Sequence, residues 1–263
     1  MAKKETYITC KDGNVFEGMT SLSAIIQNAE EHPLCARKIL RVLIDKTRAK
    51  SKQRELAFLQ KKSRLLDFDI EYIEPETIDS MTTGTTHGGI VAVCEPRKID
   101  CLRDHQENLL PNGFYVMLDG VEDPYNFGYS VRSIYASGAD GIILSERNWM
   151  EVAGIVAKSS AGTSERIPMY IASADEAQKI FHSRGYTVVA AGIRDSVSMY
   201  DAILKKPIFL IVGGEKRGIS ASLLASADNV VRVEYGRDFK GSLSTASAAT
   251  ILCYEVFRQN RNG

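Results

Sequence analysis

Residues 209–220 read Phe-Leu-Ile-Val-Gly-Gly-Glu-Lys-Arg-Gly-Ile-Ser. From Phe209 to Val212 the side chains are bulky and apolar without alternation, so both faces of this strand must be covered, as in a parallel sheet packed by helices. Gly213 and Gly214 follow at once and let a backbone or a ligand approach closely. In open parallel sheets ligands sit beyond the carboxyl ends of the strands, which makes this turn and Glu215 candidates for chemistry. The turn lacks the Gly-Lys-Ser/Thr of a phosphate-binding loop, and the chain contains no Gly-x-Gly-x-x-Gly, so nucleoside triphosphates and dinucleotides are disfavoured.

Outward from this strand, apolar runs and helical periods alternate. Strands are predicted at 114–118, 141–144, 167–171, 187–191, 207–212 and 229–233, with helices at 128–137, 174–183 and from about Ser242 onward. That pattern implies an α/β domain on a mainly parallel sheet over 112–263. Residues 96–111 are polar and charged and read as a linker. Residues 1–95 form a smaller α/β unit. It has a helix at 21–31 capped by Thr20 or Ser21, strands at 38–45, 69–73 and 90–94, a basic helix at 51–66, and a polar, glycine-rich turn at 81–89.

The 263 residues carry no net charge, 44% are apolar, and no run is long enough to span a bilayer or resembles a signal core, so a cytoplasmic protein is expected. Charge is unevenly placed. Between Arg37 and Arg64 there are eleven Lys or Arg against Asp45 and Glu55 alone, a local excess of nine. Such a face can bind phosphates in a neutral protein, or can be an ordinary solvated helix surface. The five cysteines are scattered without a C-x-x-C pair and the four histidines lack ligand spacing, so neither disulfides nor a metal site is expected.

Two further loops lie at strand ends. After the strand at 114–118 comes Asp-Gly-Val-Glu-Asp-Pro-Tyr-Asn-Phe-Gly-Tyr-Ser-Val-Arg, where Asn126 can cap a helix carrying Arg132, whose guanidinium suits phosphate or carboxylate. After the strand at 229–233 comes Gly-Ser-Leu-Ser-Thr-Ala-Ser-Ala-Ala at 241–249, where Ser242 can cap the last helix.

Together the three loops present Asn-x-Gly-x-x-x-Arg, Gly-x-Glu-x-x-Gly-Ile-Ser and Ser-Leu-x-x-x-Ser-Ala-Ala in that order. This resembles the signature of the SpoU/TrmH family of RNA ribose methyltransferases, within the SPOUT class. Residues 1–95, with Gly-Thr-Thr-His-Gly-Gly-Ile-Val-Ala at 84–92, look like that family's ribosomal-protein-like substrate-binding domain. The resemblance implies a deep trefoil knot in 112–263, S-adenosylmethionine as cofactor, and a homodimer built through the knotted domain. It implies methylation of a ribose 2′-hydroxyl, with ribosomal RNA preferred over transfer RNA, or else a catalytically impaired RNA-binding relative acting in ribosome assembly. By motif position, Asn126, Arg132, Glu215, Ser242 and Ser244 would be catalytic. Val212, Gly213, Gly214, Val233, Tyr235, Ser242 and Leu243 would hold the cofactor, mostly by backbone groups. Arg37, Lys38, Lys50, Lys52, Arg54 and His87 would meet RNA. The chain departs from the family pattern at Ser244 and Gly214, where the family has Asn, and at Val233-Glu234-Tyr235, where it has Ile-Pro-Met.

Overall fold

The computed structural model describes residues 14–33, 36–83, 86–145, 152–215 and 218–262. They form two compact units: one comprises the described residues within 1–98 and 148–166, the other those within 99–147 and 167–263.

The first unit contains β1 (Val15–Glu17), α1 (Gly18–Glu31), β2 (Ile39–Asp45), a 3-10 turn (Ala49–Lys52), α2 (Gln53–Leu66), β3 (Asp69–Ile73), α3 (Pro75–Met81) and β4 (Ile90–Cys94). Its sheet runs β1-β4-β2-β3, antiparallel except for the β2–β3 pair. Alternation along β2 sends Val42 and Ile44 to one face, against Ile25, Leu56 and Leu59, and Leu43 to the other, against Ile78 and Met81. Both faces are therefore covered. A helix from far along the chain, α5 (Ala153–Ser159), puts Ala153 and Ala157 into the first of these cores. Residues 152–166 thus pack with the first unit although they lie inside the stretch expected to form the second domain.

The second unit contains β5 (Asp100–Cys101), a 3-10 turn (Leu102–Asn108), β6 (Phe114–Asp119), α4 (Pro124–Ala136), β7 (Gly141–Leu144), β8 (Met169–Ile171), α6 (Ala174–Ser183), β9 (Thr187–Ala191), β10 (Val197–Ser198), β11 (Ile208–Gly213), α7 (Ala221–Ser226), β12 (Asn229–Arg232) and α8 (Thr245–Asn260). Its eight strands run β10-β12-β9-β11-β6-β7-β8-β5, and every pairing is parallel. The apolar run that opened the reading is β11, central between β6 and β9 and buried from Ile208 to Val212. On one face Phe209 stacks on Phe181 of α6 at 4.0 Å, joined by Tyr115 and Ile211. Helices α4 and α8 pack on each other, and α8 also packs on β11. Cys94 and Cys253 are buried free thiols, and burial pushes Cys253 up to about 12, so it stays protonated.

Several helix starts differ from the sequence expectation. α1 begins three residues early, after Glu17, and leaves Thr20 and Ser21 inside the helix. α4 begins at Pro124, capped by Asp123, whose Oδ1 accepts the Asn126 N–H at 2.8 Å; Asn126 is not the cap. α8 begins at Thr245 with Ser244 as N-cap in place of Ser242. Proline is favoured in the first helical position and aspartate before it, so Asp123-Pro124 outcompetes Asn126. The expected linker contains β5, which pairs with β8 and so extends the large sheet.

Candidate active site

The parallel sheet places the carboxyl ends of β6, β9, β11 and β12 together, and the loops leaving β9, β11 and β12 enclose a cavity of about 480 Å³. All seven residues expected to hold the cofactor line it: Val212, Gly213, Gly214, Val233, Tyr235, Ser242 and Leu243. The glycines are dictated by packing. A Cβ on Gly214 would stand 2.1 Å from the Gly120 carbonyl oxygen, and one on Gly213 would stand 2.7 Å from the Gly218 backbone. A side chain at Gly214, the family's asparagine included, would require that backbone to move. Three hydrogen bonds fix the walls. The Gly214 N–H donates to the Asp119 carbonyl at 2.6 Å, the Thr245 hydroxyl to the Gly213 carbonyl at 3.1 Å, and the Leu243 N–H to the Tyr235 hydroxyl at 3.3 Å. Beside them burial, with the negative charge of Asp175, raises the Asp119 carboxyl above its ordinary value.

A second hollow, of about 370 Å³, adjoins the first through shared Glu215 and Thr245 and is lined by the β6–α4 loop from Gly120 to Pro124 and by Asn126. There the Asn126 amide donates to Glu215 Oε1 at 3.0 Å, tying the first motif to the second. Ser244 lies outside both linings. Its hydroxyl oxygen accepts the Ser247 N–H at 3.2 Å as the cap of α8. Arg132 is exposed on α4, lines neither hollow and has no ion-pair partner among the described residues.

Sequence reasoning missed part of the wall: Gly192, Ile193 and Arg194 after β9, together with Thr245 and Ala248. The signal for the first three was present, since they follow an apolar strand. Their place beside β11 and β12 depends on strand order, which no local pattern reveals.

In the first unit the expected RNA contacts separate into two groups. Arg37 is 3% exposed, donates through Nε to Glu165 at 3.1 Å and through Nη1 to the Glu95 carbonyl at 2.8 Å, and lies over the Phe16 ring. It is a core ion pair and cannot reach RNA. His87 is also buried, with Nδ1 accepting from the Gly89 N–H and Nε2 facing Asp79 at 3.0 Å. Lys38 and Lys52 are paired with Glu95 and Glu55. Lys50 and Arg54 are exposed and carry no ion pair among the described residues, as do Lys61 and Arg64 further along α2. Gly84 and Thr85 of the glycine-rich turn lie outside the described residues. Among the described residues no group of His, Cys, Asp or Glu is arranged to hold a metal.

Residues 113–254 match the SpoU rRNA Methylase family, and residues 17–99 match the RNA 2′-O ribose methyltransferase substrate-binding family. The chain belongs to the SpoU rRNA methylase family. A SpoU relative from Shewanella oneidensis, the 23S rRNA (guanosine-2′-O-)-methyltransferase RlmB, is 28% identical over 210 residues, covering 78% of this chain and 84% of that protein. The putative TrmH family tRNA/rRNA methyltransferase YacO of Bacillus subtilis is 28% identical over 228 residues, covering 85% and 89%. In fold the chain is similar to the AdoMet-bound rRNA methyltransferase of Sinorhizobium meliloti, with a TM-score of 0.75, 24% identity and coverage of 93% and 87% of the two chains. SpoU membership makes the chain a methyltransferase and accounts for the order of the three motifs.

Proposed function

We propose that this SpoU methyltransferase transfers the methyl group of S-adenosylmethionine to a ribose 2′-hydroxyl of ribosomal RNA. The observation that carries this reading is the convergence of three separated motifs, at Asn126, Gly213–Glu215 and Ser242–Leu243, on one pair of joined hollows at the strand ends. The larger hollow fits the cofactor. Its volume suits a ligand of that size, its floor is glycine backbone that no side chain fills, and the aromatic Tyr235 and apolar Leu243 flank it. The bound sulfonium would supply an electrophilic methyl carbon.

What remains for the protein is to aim the hydroxyl and help its proton leave. Asn126 holds the Glu215 carboxylate at the junction of the hollows, where it can orient a ribose or an arginine. The part of Arg132 is electrostatic: its planar fork of donors grips a neighbouring phosphate and stabilises the developing alkoxide. Arg132 stands outside the hollows on α4. That supports a site completed across a homodimer, as does the exposure of Tyr125 and Tyr129 on α4 and of Tyr254 and Phe257 on α8. The trefoil knot is supported by the tight passage of Gly213 and Gly214 against Gly218 and Gly120 and by the anchoring of Thr245 on Gly213. Among the described residues no helix is long and apolar enough to cross a membrane.

Ribosomal RNA is preferred because residues 17–99 match the RNA 2′-O ribose methyltransferase substrate-binding family and the relative named for 23S rRNA matches 78% of this chain. The test is transfer of labelled methyl groups to total RNA followed by nucleoside analysis. A 2′-O-methyl nucleoside in ribosomal RNA is expected, and Arg132→Ala should abolish it while leaving cofactor affinity nearly unchanged. Cofactor binding without label in any RNA would sink the reading, and label confined to transfer RNA would move the substrate.

A further inference from the structure

Among the described residues, three of those lining the larger hollow carry charge: Glu215, Arg232 and Arg194. Two of them are committed within the protein. Glu215 Oε1 accepts from the Asn126 amide, and the Arg232 guanidinium donates to the Ser196 carbonyl and, at 3.2 Å, to Glu234 Oε1. The Arg194 side chain has no hydrogen bond or ion pair among the described residues.

The turn that carries Arg194 is fixed on both sides of it. Gly192 donates its N–H to the Val231 carbonyl at 3.0 Å, the Ser196 hydroxyl donates to the Ile193 carbonyl at 2.7 Å, and Arg232 fastens Ser196. A Cβ on Gly192 would stand 2.8 Å from Val230 Cγ1, so the turn lies close on β12. Asp195 has a φ of +49°, a left-handed conformation that aspartate tolerates better than most residues, and it redirects the chain directly after Arg194. Arg232 is thus consumed in holding the turn, and Arg194 is presented by it.

The sheet explains why Glu215 does not answer this cation. β9 and β11 pair in parallel as far as Ala190 and Ile211, so Arg194 and Glu215 each stand four residues beyond that last pair, on neighbouring loops. Glu215 is drawn to Asn126, which follows β6 on the opposite side of β11 from β9. The hollow therefore has a committed anion toward β6 and a free cation toward β9.

S-adenosylmethionine carries a complementary set of charges: a sulfonium, an ammonium and one carboxylate. Arginine beside either cation would oppose binding, whereas its planar fork of donors matches a carboxylate with two parallel hydrogen bonds. We infer that Arg194 binds the carboxylate at the methionyl end of the cofactor, and so lets the site select S-adenosylmethionine over adenosine compounds that lack that group. The inference rests on the cofactor reading of this hollow and is independent of which RNA is methylated.

The experiment is calorimetric titration of the full-length protein and of Arg194→Ala with S-adenosylhomocysteine and with its decarboxylated analogue. The two ligands share adenosine, an uncharged sulfur and the ammonium, and differ only in the carboxylate. Arg194→Ala should lose about tenfold in affinity for S-adenosylhomocysteine, the scale of a hydrogen bond to a charged group, and stay within about twofold of the parent for the analogue. Arg194→Lys, which keeps the charge without the fork, should recover part of the loss. The melting temperature of Arg194→Ala should match that of the parent, since the side chain holds no partner among the described residues.

Equal losses for the two ligands would place Arg194 against the adenosine or in the architecture of the hollow, and no loss for either would leave it outside the site. Either result overturns the inference. Parental affinity for S-adenosylhomocysteine combined with a flatter salt dependence of RNA binding would assign the cation to an RNA phosphate, and the inference would fail as well. Because both ligands are titrated without RNA, absence of methyl transfer to ribosomal RNA would sink the proposed function and leave this result standing. A parent protein that binds no S-adenosylhomocysteine would remove the cofactor reading and the inference together.

Discussion

Asn126 and Glu215 are 89 residues apart in the chain, yet the Asn126 amide nitrogen lies 3.0 Å from Glu215 Oε1. This bond joins the loop after β6 to the loop after β11, two strands that pair directly in register from Phe114–Ile208 to Asp119–Gly213. The sheet thus brings the two motifs together, and the hydrogen bond fixes the rotamer of an otherwise exposed carboxylate.

Asn126→Asp puts a second negative charge against Glu215 in place of a donor. Methyl transfer should fall about 100-fold, the scale of a misplaced catalytic group. Asn126→Ala, which only frees Glu215, should lose less. Since the cofactor hollow is lined by other residues, its affinity for S-adenosylmethionine, measured by calorimetry, should change little in both variants. Parental turnover in Asn126→Asp would show that the pairing has no part in the reaction.

Much of this arrangement was legible beforehand, for identifiable reasons. An unbroken apolar run such as Phe209–Val212 leaves few alternatives to a central parallel strand, and α6, with Ser173 as its cap and a clean amphipathic period, was predicted at its observed bounds. The helix starts were less legible because Asp123, Asn126, Ser242 and Ser244 are all competent caps, and tertiary packing chooses among them. The basic segment was least legible. Charge counts do not distinguish Arg37, buried against Glu165, from Arg54, free in solvent, because the partner lies 128 residues away.

Ser244 illustrates the same point in a family departure. Its visible work is to cap α8 by accepting the Ser247 N–H, a task that serine and asparagine perform about equally well. Ser244→Asn should therefore leave urea stability within about 0.5 kcal/mol of the parent and leave methyl transfer intact, whereas Ser244→Ala should cost about 1 kcal/mol. A large gain of activity in Ser244→Asn would instead identify the serine as an impairing change.

The pH dependence of stability has an assignable contributor in α8. Arg258 hydrogen bonds to both oxygens hold the buried Glu255 carboxyl below its ordinary value, against the desolvation that opposes them, with Gln259 Nε2 also donating to Oε1. A carboxyl depressed in the folded state contributes stability that is complete above its unfolded value near 4.5 and is lost as pH falls through the lower folded value. Glu255→Gln should accordingly be less stable than the parent at pH 7, by no more than about 1 kcal/mol because Arg258 is largely exposed, and the gap should close as pH falls below the range of free glutamate. A gap that persists undiminished in acid would mean that packing, not ionisation, underlies it.

The division within the basic segment gives opposite expectations for neighbouring arginines. Arg37→Ala strips the partner from Glu165 in the core and should destabilise the fold by about 3–5 kcal/mol, as measured by denaturation. Lys50→Glu with Arg54→Glu changes two exposed cations that hold no carboxylate among the described residues, so stability should be nearly unaltered while affinity for ribosomal RNA falls. If both cations meet phosphates, the slope of log affinity against log salt should drop by about 1.4 on a single strand. An unchanged slope in this pair would return α2 to an ordinary solvated helix and confine RNA contact in the first unit to other surfaces.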